Sequence, residues 1–234
     1  MLQWLTLVSL YSKSRCLSDV SKLLSLMPQN DLVAWNAMFS GCVQNGLDQK
    51  APDLFYQMQS SGVKPDSFTF TSFLPSFSNT AGLKQGKEIH ACILRNGITM
   101  DAFLKSALID IYLKSKNVEM AQKVFKSTGT VDVVIFSAMI SGYVLNGLNY
   151  VALEMFCQFV DIQIKRNTVS LANVLPACSC LTALRLGKEL HGYILKSAGE
   201  GICILASALM DMYAKCGRVD LSHQIFTSMS EGVY

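Results

Sequence analysis

Residues 32–66, LVAWNAMFSGCVQNGLDQKAPDLFYQMQSSGVKPD, read as two helices joined by a tight turn, and that reading decides the fold. Val33, Ala37, Met38 and Val43 recur at helical spacing. Asn45-Gly46 then stops the pattern, because both residues tolerate the left-handed conformation that ends a helix. Asp48 is expected to cap a second helix whose apolar face is Leu54, Phe55 and Met58. Pro52 fits that helix only in its first turn. Ser61-Gly62-Val63-Lys64-Pro65-Asp66 closes the unit as a loop. One such hairpin cannot bury its own apolar face, so stacked neighbours must share a continuous core.

The neighbours are in the chain. Shifted by 101 residues, the sequence matches itself without a gap at about 40 of the 133 overlapped positions. Asn45-Gly46-Leu47 meets Asn146-Gly147-Leu148, Gly86-Lys87-Glu88 with His90 meets Gly187-Lys188-Glu189 with His191, and Asp110, Tyr112 and Lys114 meet Asp211, Tyr213 and Lys215. The block subdivides into 32–66, 67–101 and 102–132, and again into 133–167, 168–202 and 203–233, with 1–31 in phase as a further short unit. The expectation is one all-α, right-handed α-solenoid of stacked helix-turn-helix units over 1–234.

Stacked hairpins sharing a core account for 50% hydrophobic residues in a chain expected to be soluble. Val133–Leu153 carries no charge and has the length to cross a bilayer. Asn146-Gly147 breaks it, however, and its copy at 32–52 carries Asp48 and Lys50, so no membrane span is expected. No cleavable signal pattern follows Met1. The eight cysteines form no C-x-x-C pair and no zinc spacing, which points to reduced thiols packed as small hydrophobes. His90 and His191 are repeat copies about 100 residues apart, which favours a structural role over metal or acid–base work. Lys-Glu-x-His matches neither the zinc-protease nor the nucleobase-deaminase signature, and no phosphate loop or nucleophile elbow occurs. No cofactor, small-molecule substrate or enzymatic activity is expected.

The units resemble pentatricopeptide repeats of the class in which P, L and S length variants alternate. Residues 32–66 resemble the P-type motif closely, and 133–167 more weakly. FTFTSFLPSFSNTAGLKQGKEIHACILRNG (68–97) and its copy from Val169 resemble the L type; SALMDMYAKCGRVDLSHQIF (207–226), 102–132 and 1–31 resemble the S type. The resemblance implies binding of single-stranded RNA, one base per unit. It places base reading on the fifth and last residues. Asn36 with Asp66 implies U, Ser106 with Asp132 implies G, and Ser137 with Asn167 implies A. Thr71 with Asp101 suggests G, although L-type pairs follow the code poorly. Leu5 with Asp31, Ala172 with Ile202 and Ser207 with Val233 depart from the code. The second residues, Val33, Phe68, Phe103, Val134, Val169 and Ile204, are expected to stack on the bases.

The implied preference is 5′-U-N-G-A-3′ within seven nucleotides. Net charge of +3 and pI near 8.4 suit RNA without marking a strong phosphate-tracking stripe. The resemblance further implies action in a mitochondrion or chloroplast, commonly as a specificity factor for C-to-U RNA editing. Family members with that role often end in extension and zinc-deaminase domains, which have no counterpart here, so editing cofactors or a deaminase are expected in trans. The lack of polar terminal caps suggests a fragment or a partner-dependent factor. A protein-binding scaffold and a non-functional remnant are the alternatives.

Overall fold

The computed structural model describes residues 32–80, 83–129, 132–161, 168–197 and 202–230, so the unit expected at 1–31 lies outside the described residues. Among these there are twelve α-helices and no strand. They fall in two compact units, 1–127 and 128–234. The first holds α1 (Leu32–Gln44), α2 (Ala51–Ser60), α3 (Ser67–Thr80), α4 (Leu83–Arg95), α5 (Ala102–Lys114) and α6 (Val118–Lys126). The second holds α7 (Val133–Leu145), α8 (Asn149–Asp161), α9 (Thr168–Cys180), α10 (Leu184–Ser197), α11 (Ile202–Lys215) and α12 (Val219–Ser230). Within the first unit α1, α3 and α5 stack in order; within the second, α7, α9 and α11 do the same. This is the all-α repeat architecture expected from the 101-residue offset.

Local chemistry sets the helix ends. At Asn45-Gly46 the N–H of Leu47 reaches the Cys42 carbonyl (2.9 Å) and that of Gly46 reaches Val43 (3.1 Å). The same pair closes α7, from Leu148 to Tyr143 (2.9 Å) and from Gly147 to Val144 (3.0 Å). Gly46 and Gly147 sit at φ +64 and +74, where a Cβ would be strained. This turn also breaks the uncharged stretch 133–153, and no described helix is long and apolar enough to cross a membrane.

One expectation is corrected. The N-cap position of α2 is Lys50 and not Asp48: Asp48–Lys50 forms a 3-10 turn, and Pro52 lies in the first turn of the helix. An α-helix begun at Asp48 would need an N–H at Pro52 to take up the Asp48 carbonyl, and proline has none. The copy has Leu153 in place of Pro52, and its helix starts directly at Asn149. Val33 stands outside the buried face of α1, whose apolar side chains are Ala34, Trp35, Met38, Phe39 and Cys42.

The core of the first unit centres on four aromatic rings. Phe55 lies 4.8 Å from Phe73 and 5.7 Å from Phe70, and Phe39 lies 5.1 Å from Phe73. In the second unit the equivalent positions Ile140, Phe156, Leu171 and Val174 are all buried, so the offset preserves burial where it does not preserve identity. Gly86 and Gly187 let α4 approach α5, and α10 approach α11: an added Cβ would meet Ile111 Cγ2 at 2.7 Å and Met212 Sδ at 2.5 Å respectively.

Candidate nucleic-acid interface

In five of the described units the second position is apolar and exposed. Val33, Phe68, Phe103, Val134 and Val169 are 54, 61, 68, 39 and 56% exposed, although each lies in the first turn of a stacked helix. A single exposed hydrophobe needs no explanation. The same position is exposed in three successive repeats of the first compact unit and in two of the second, and core packing gives no reason for it. Ile204 stands at the sixth such position; its side chain lies outside the described residues.

The fifth positions differ among themselves. Asn36 and Ser137, copies of each other, are buried, and Asn36 Oδ1 and Ser137 Oγ have no hydrogen-bond partner. Buried polar atoms are nearly always paired, so each of these two calls for a reason. Thr71 Oγ1 instead donates within its own helix, to the carbonyls of Phe68 (3.0 Å) or Ser67 (3.3 Å). Ser106 and Ala172 are half-buried and Ser207 is exposed. A tie across units holds one of these positions: Asn173 Nδ2 donates to the Ser137 carbonyl at 3.3 Å.

The last positions do a job the sequence reading did not assign them. Asp66 Oδ1 accepts from the Thr69 N–H and hydroxyl, both at 2.7 Å. Asp101 Oδ1 accepts from Leu104 N–H (2.8 Å) and Asp132 Oδ1 from Val134 N–H (2.7 Å). Each aspartate therefore caps the first helix of the following unit. The signal was present, since aspartate just before a periodic apolar run is an N-cap signature. Capping uses Oδ1; in Asp101, Oδ2 lies 3.5 Å from Ser67 Oγ. That contact sets the end of the 67–101 unit beside the start of its own first helix. Asn167, Asp31 and Leu5 lie outside the described residues, as does Val233.

The histidines belong to packing. His90 Nδ1 is 2.9 Å from the Tyr112 hydroxyl, and His191 Nδ1 is 2.9 Å from that of Tyr213. Burial lowers both imidazole pKa values and pushes the Tyr112 phenol up to about 12. Cys42, Cys92, Cys157, Cys178, Cys180 and Cys216 are in no disulfide, and no described group of His, Cys, Asp and Glu could hold a metal ion.

Fold and surface together define a helical-hairpin repeat protein that presents equivalent positions in series. The PPR repeat model matches residues 4–32, 105–127, 134–164 and 205–232, and a PPR repeat family model matches 30–79. The chain belongs to the PPR repeat family. A pentatricopeptide repeat-containing protein of Arabidopsis thaliana is 37% identical over 92% of this chain and 30% of its own length. A chloroplastic one is 37% identical over 97% of this chain and 27% of its own length. A mitochondrial one is 36% identical over 96% and 36%. The chain thus spans about a third of the length of these relatives. Among solved structures, the PPR repeat protein PPR10 in complex with an 18-nt psaJ RNA element superposes with a TM-score of 0.70 at 16% identity, over 98% of this chain and 35% of that one. At that identity the likeness speaks to the fold.

Proposed function

We propose that this chain binds single-stranded RNA in a sequence-dependent way, one base per repeat. The exposed apolar second positions carry the reading, because a base stacked on an aromatic ring such as Phe68 or Phe103 gains on the order of 1–3 kcal/mol and the valines offer apolar surface to a base face. The unpartnered atoms at Asn36 and Ser137 support it. Asn36 Oδ1 is an acceptor for the N3–H of uracil, and the Ser137 hydroxyl, with Asn167, addresses adenine. Asp66 and Asp132 offer the carboxylate oxygen that capping leaves over, Asp101 shares its second oxygen with the Ser67 hydroxyl, and Thr71 and Ser106 complete the pairs. The crystallised complex of PPR10 with RNA is consistent with this use of the fold.

The finer reading is a P, L and S alternation that prefers 5′-U-N-G-A-3′. It acts in an organelle as the specificity component of RNA processing, of which C-to-U editing with a deaminase in trans is the form we favour. In this reading the chain binds and a partner catalyses. Relatives named as chloroplastic and mitochondrial support an organellar setting.

Fluorescence anisotropy with short single-stranded oligonucleotides tests the reading. Exchanging the central G and A should weaken binding, and Asn167→Asp should move the preferred base there from A toward G. Indifference to the exchange would sink the base assignment. Binding to no RNA would turn the reading toward a protein-binding scaffold or a non-functional remnant.

A further inference from the structure

The sixth residue of each described unit is half-buried on the first helix, next to the fifth. It is alanine at Ala37, Ala107, Ala138 and Ala208. The units 67–101 and 168–202 carry polar residues there instead, Ser72 and Asn173. Ser72 turns back on its own helix, and its hydroxyl donates to the Phe68 carbonyl at 2.7 Å. Asn173 reaches the preceding unit, where Nδ2 donates to the Ser137 carbonyl at 3.3 Å. Among the described residues no other sixth residue bonds through its side chain to the fifth residue of the unit before it.

The tie lies beside the two platforms between which a base of the unit 133–167 would stack. Ser137 follows Val134 by one turn of α7, and Asn173 follows Val169 by one turn of α9. Both valines are exposed. Ser137 Oγ, on the same residue as the tied carbonyl, is buried without a hydrogen-bond partner. The tie engages one N–H of the Asn173 amide, which also has a second N–H and the acceptor Oδ1. It fixes the sense of the amide as well. Turned over, the amide would set Oδ1 against the Ser137 carbonyl, acceptor against acceptor.

We infer that Asn173 is a specificity-determining residue for the base opposite the unit 133–167, whose edge pairs with the second N–H and Oδ1 of its amide. This rests on the RNA-binding function proposed above. Adenine and cytosine present an amino donor beside a ring-nitrogen acceptor. Guanine and uracil present a carbonyl acceptor beside a ring N–H, the reverse order. A freely turning amide matches either order by flipping over. An amide held by the Ser137 carbonyl matches one order alone, and with adenine opposite this unit that is the amino order. The unit 168–202 thereby lends its sixth residue to the reading done by the unit before it, although its own pair, Ala172 and Ile202, departs from the side-chain code.

The test uses the full chain and oligonucleotides that carry A, C, G or U at the last position of U-N-G-A, with binding followed by fluorescence anisotropy. Wild type should favour A over G, and C over U. Asn173→Ser and Asn173→Ala install residues that the sixth position already holds elsewhere in this chain, so both variants should fold. Each should lower both preferences several-fold and leave the choice of U and G at the other nucleotides unchanged. Equal weakening of all four forms would make the tie purely structural and overturn the inference, with RNA binding left standing. Preferences unchanged in both variants would overturn it in the same way. A wild type that does not favour A over G would overturn it together with the base assignment of this unit. A chain that binds no RNA would overturn the function itself.

Discussion

At Phe103 exposure separates two roles that a sequence cannot separate. The ring is 68% exposed, so Phe103→Ala removes little buried surface. The melting temperature should correspond to a stability change within about 0.5 kcal/mol, as for surface substitutions generally. RNA affinity should fall by about 1–3 kcal/mol, because the stacking platform is gone. A large drop in melting temperature would instead make the ring a core residue. Asp132 carries two roles at once. It caps α7 through Oδ1 and is proposed to read a base with Ser106. Asparagine caps as well as aspartate, and alanine does not. Urea denaturation should show Asp132→Asn within a few tenths of a kcal/mol of wild type and Asp132→Ala about 1 kcal/mol less stable. Competition binding should show the Asn variant moving its preferred base from G toward A. Equal base choice in wild type and Asp132→Asn would leave the cap as its whole function.

Among elements, the contacts of α4 with α5 and of α10 with α11 show how copies diverge. Both depend on a glycine, but the opposing side chains differ in stiffness. The Cβ of Gly86→Ala would press on Ile111 Cγ2, a branch fixed next to the backbone. The Cβ of Gly187→Ala would press on the thioether of Met212, which can swing aside. Gly86→Ala should therefore cost about 1–3 kcal/mol in denaturant titration. Gly187→Ala should stay within about 1 kcal/mol of wild type, since alanine also favours the helix. Equal costs would mean that side-chain stiffness does not decide the fit. The hairpin pattern and the Asn-Gly turns were legible because they depend on local periodicity and backbone tolerance. The 3-10 entry to α2 was not, because the capping preference of aspartate and the N–H that Pro52 lacks pull in opposite directions over the same few residues.

For the molecule as a whole, the paired His90–Tyr112 and His191–Tyr213 contacts predict how stability depends on pH. Burial holds both imidazoles below their ordinary pKa of 6.5. As pH falls through 6.5 the unfolded chain takes up protons first, so the stabilisation held above 6.5 is lost toward the lower native values. The melting temperature should drop between about pH 7.5 and about pH 5.5, and the drop should shrink in the chain carrying His90→Gln and His191→Gln. Scanning fluorimetry across that range checks it; an unchanged slope in the double variant would assign the effect to other groups. Tyr112, pushed up to about 12, stays neutral throughout and contributes nothing to that slope.

The amino-acid sequence alone determined the repeat, its helical class and the register on which equivalent positions recur, because period, turn chemistry and residue size are properties of the chain itself. Only the tertiary structure decided which apolar residues of that register are buried. Val33 and Met38 look alike in the pattern of α1, yet neighbouring helices cover Met38 completely and leave Val33 54% exposed. The same packing buried Asn36 Oδ1 and Ser137 Oγ without partners and set one oxygen of each described terminal aspartate to capping. Burial and pairing depend on what the next helix brings alongside, and that is settled only when the units stack.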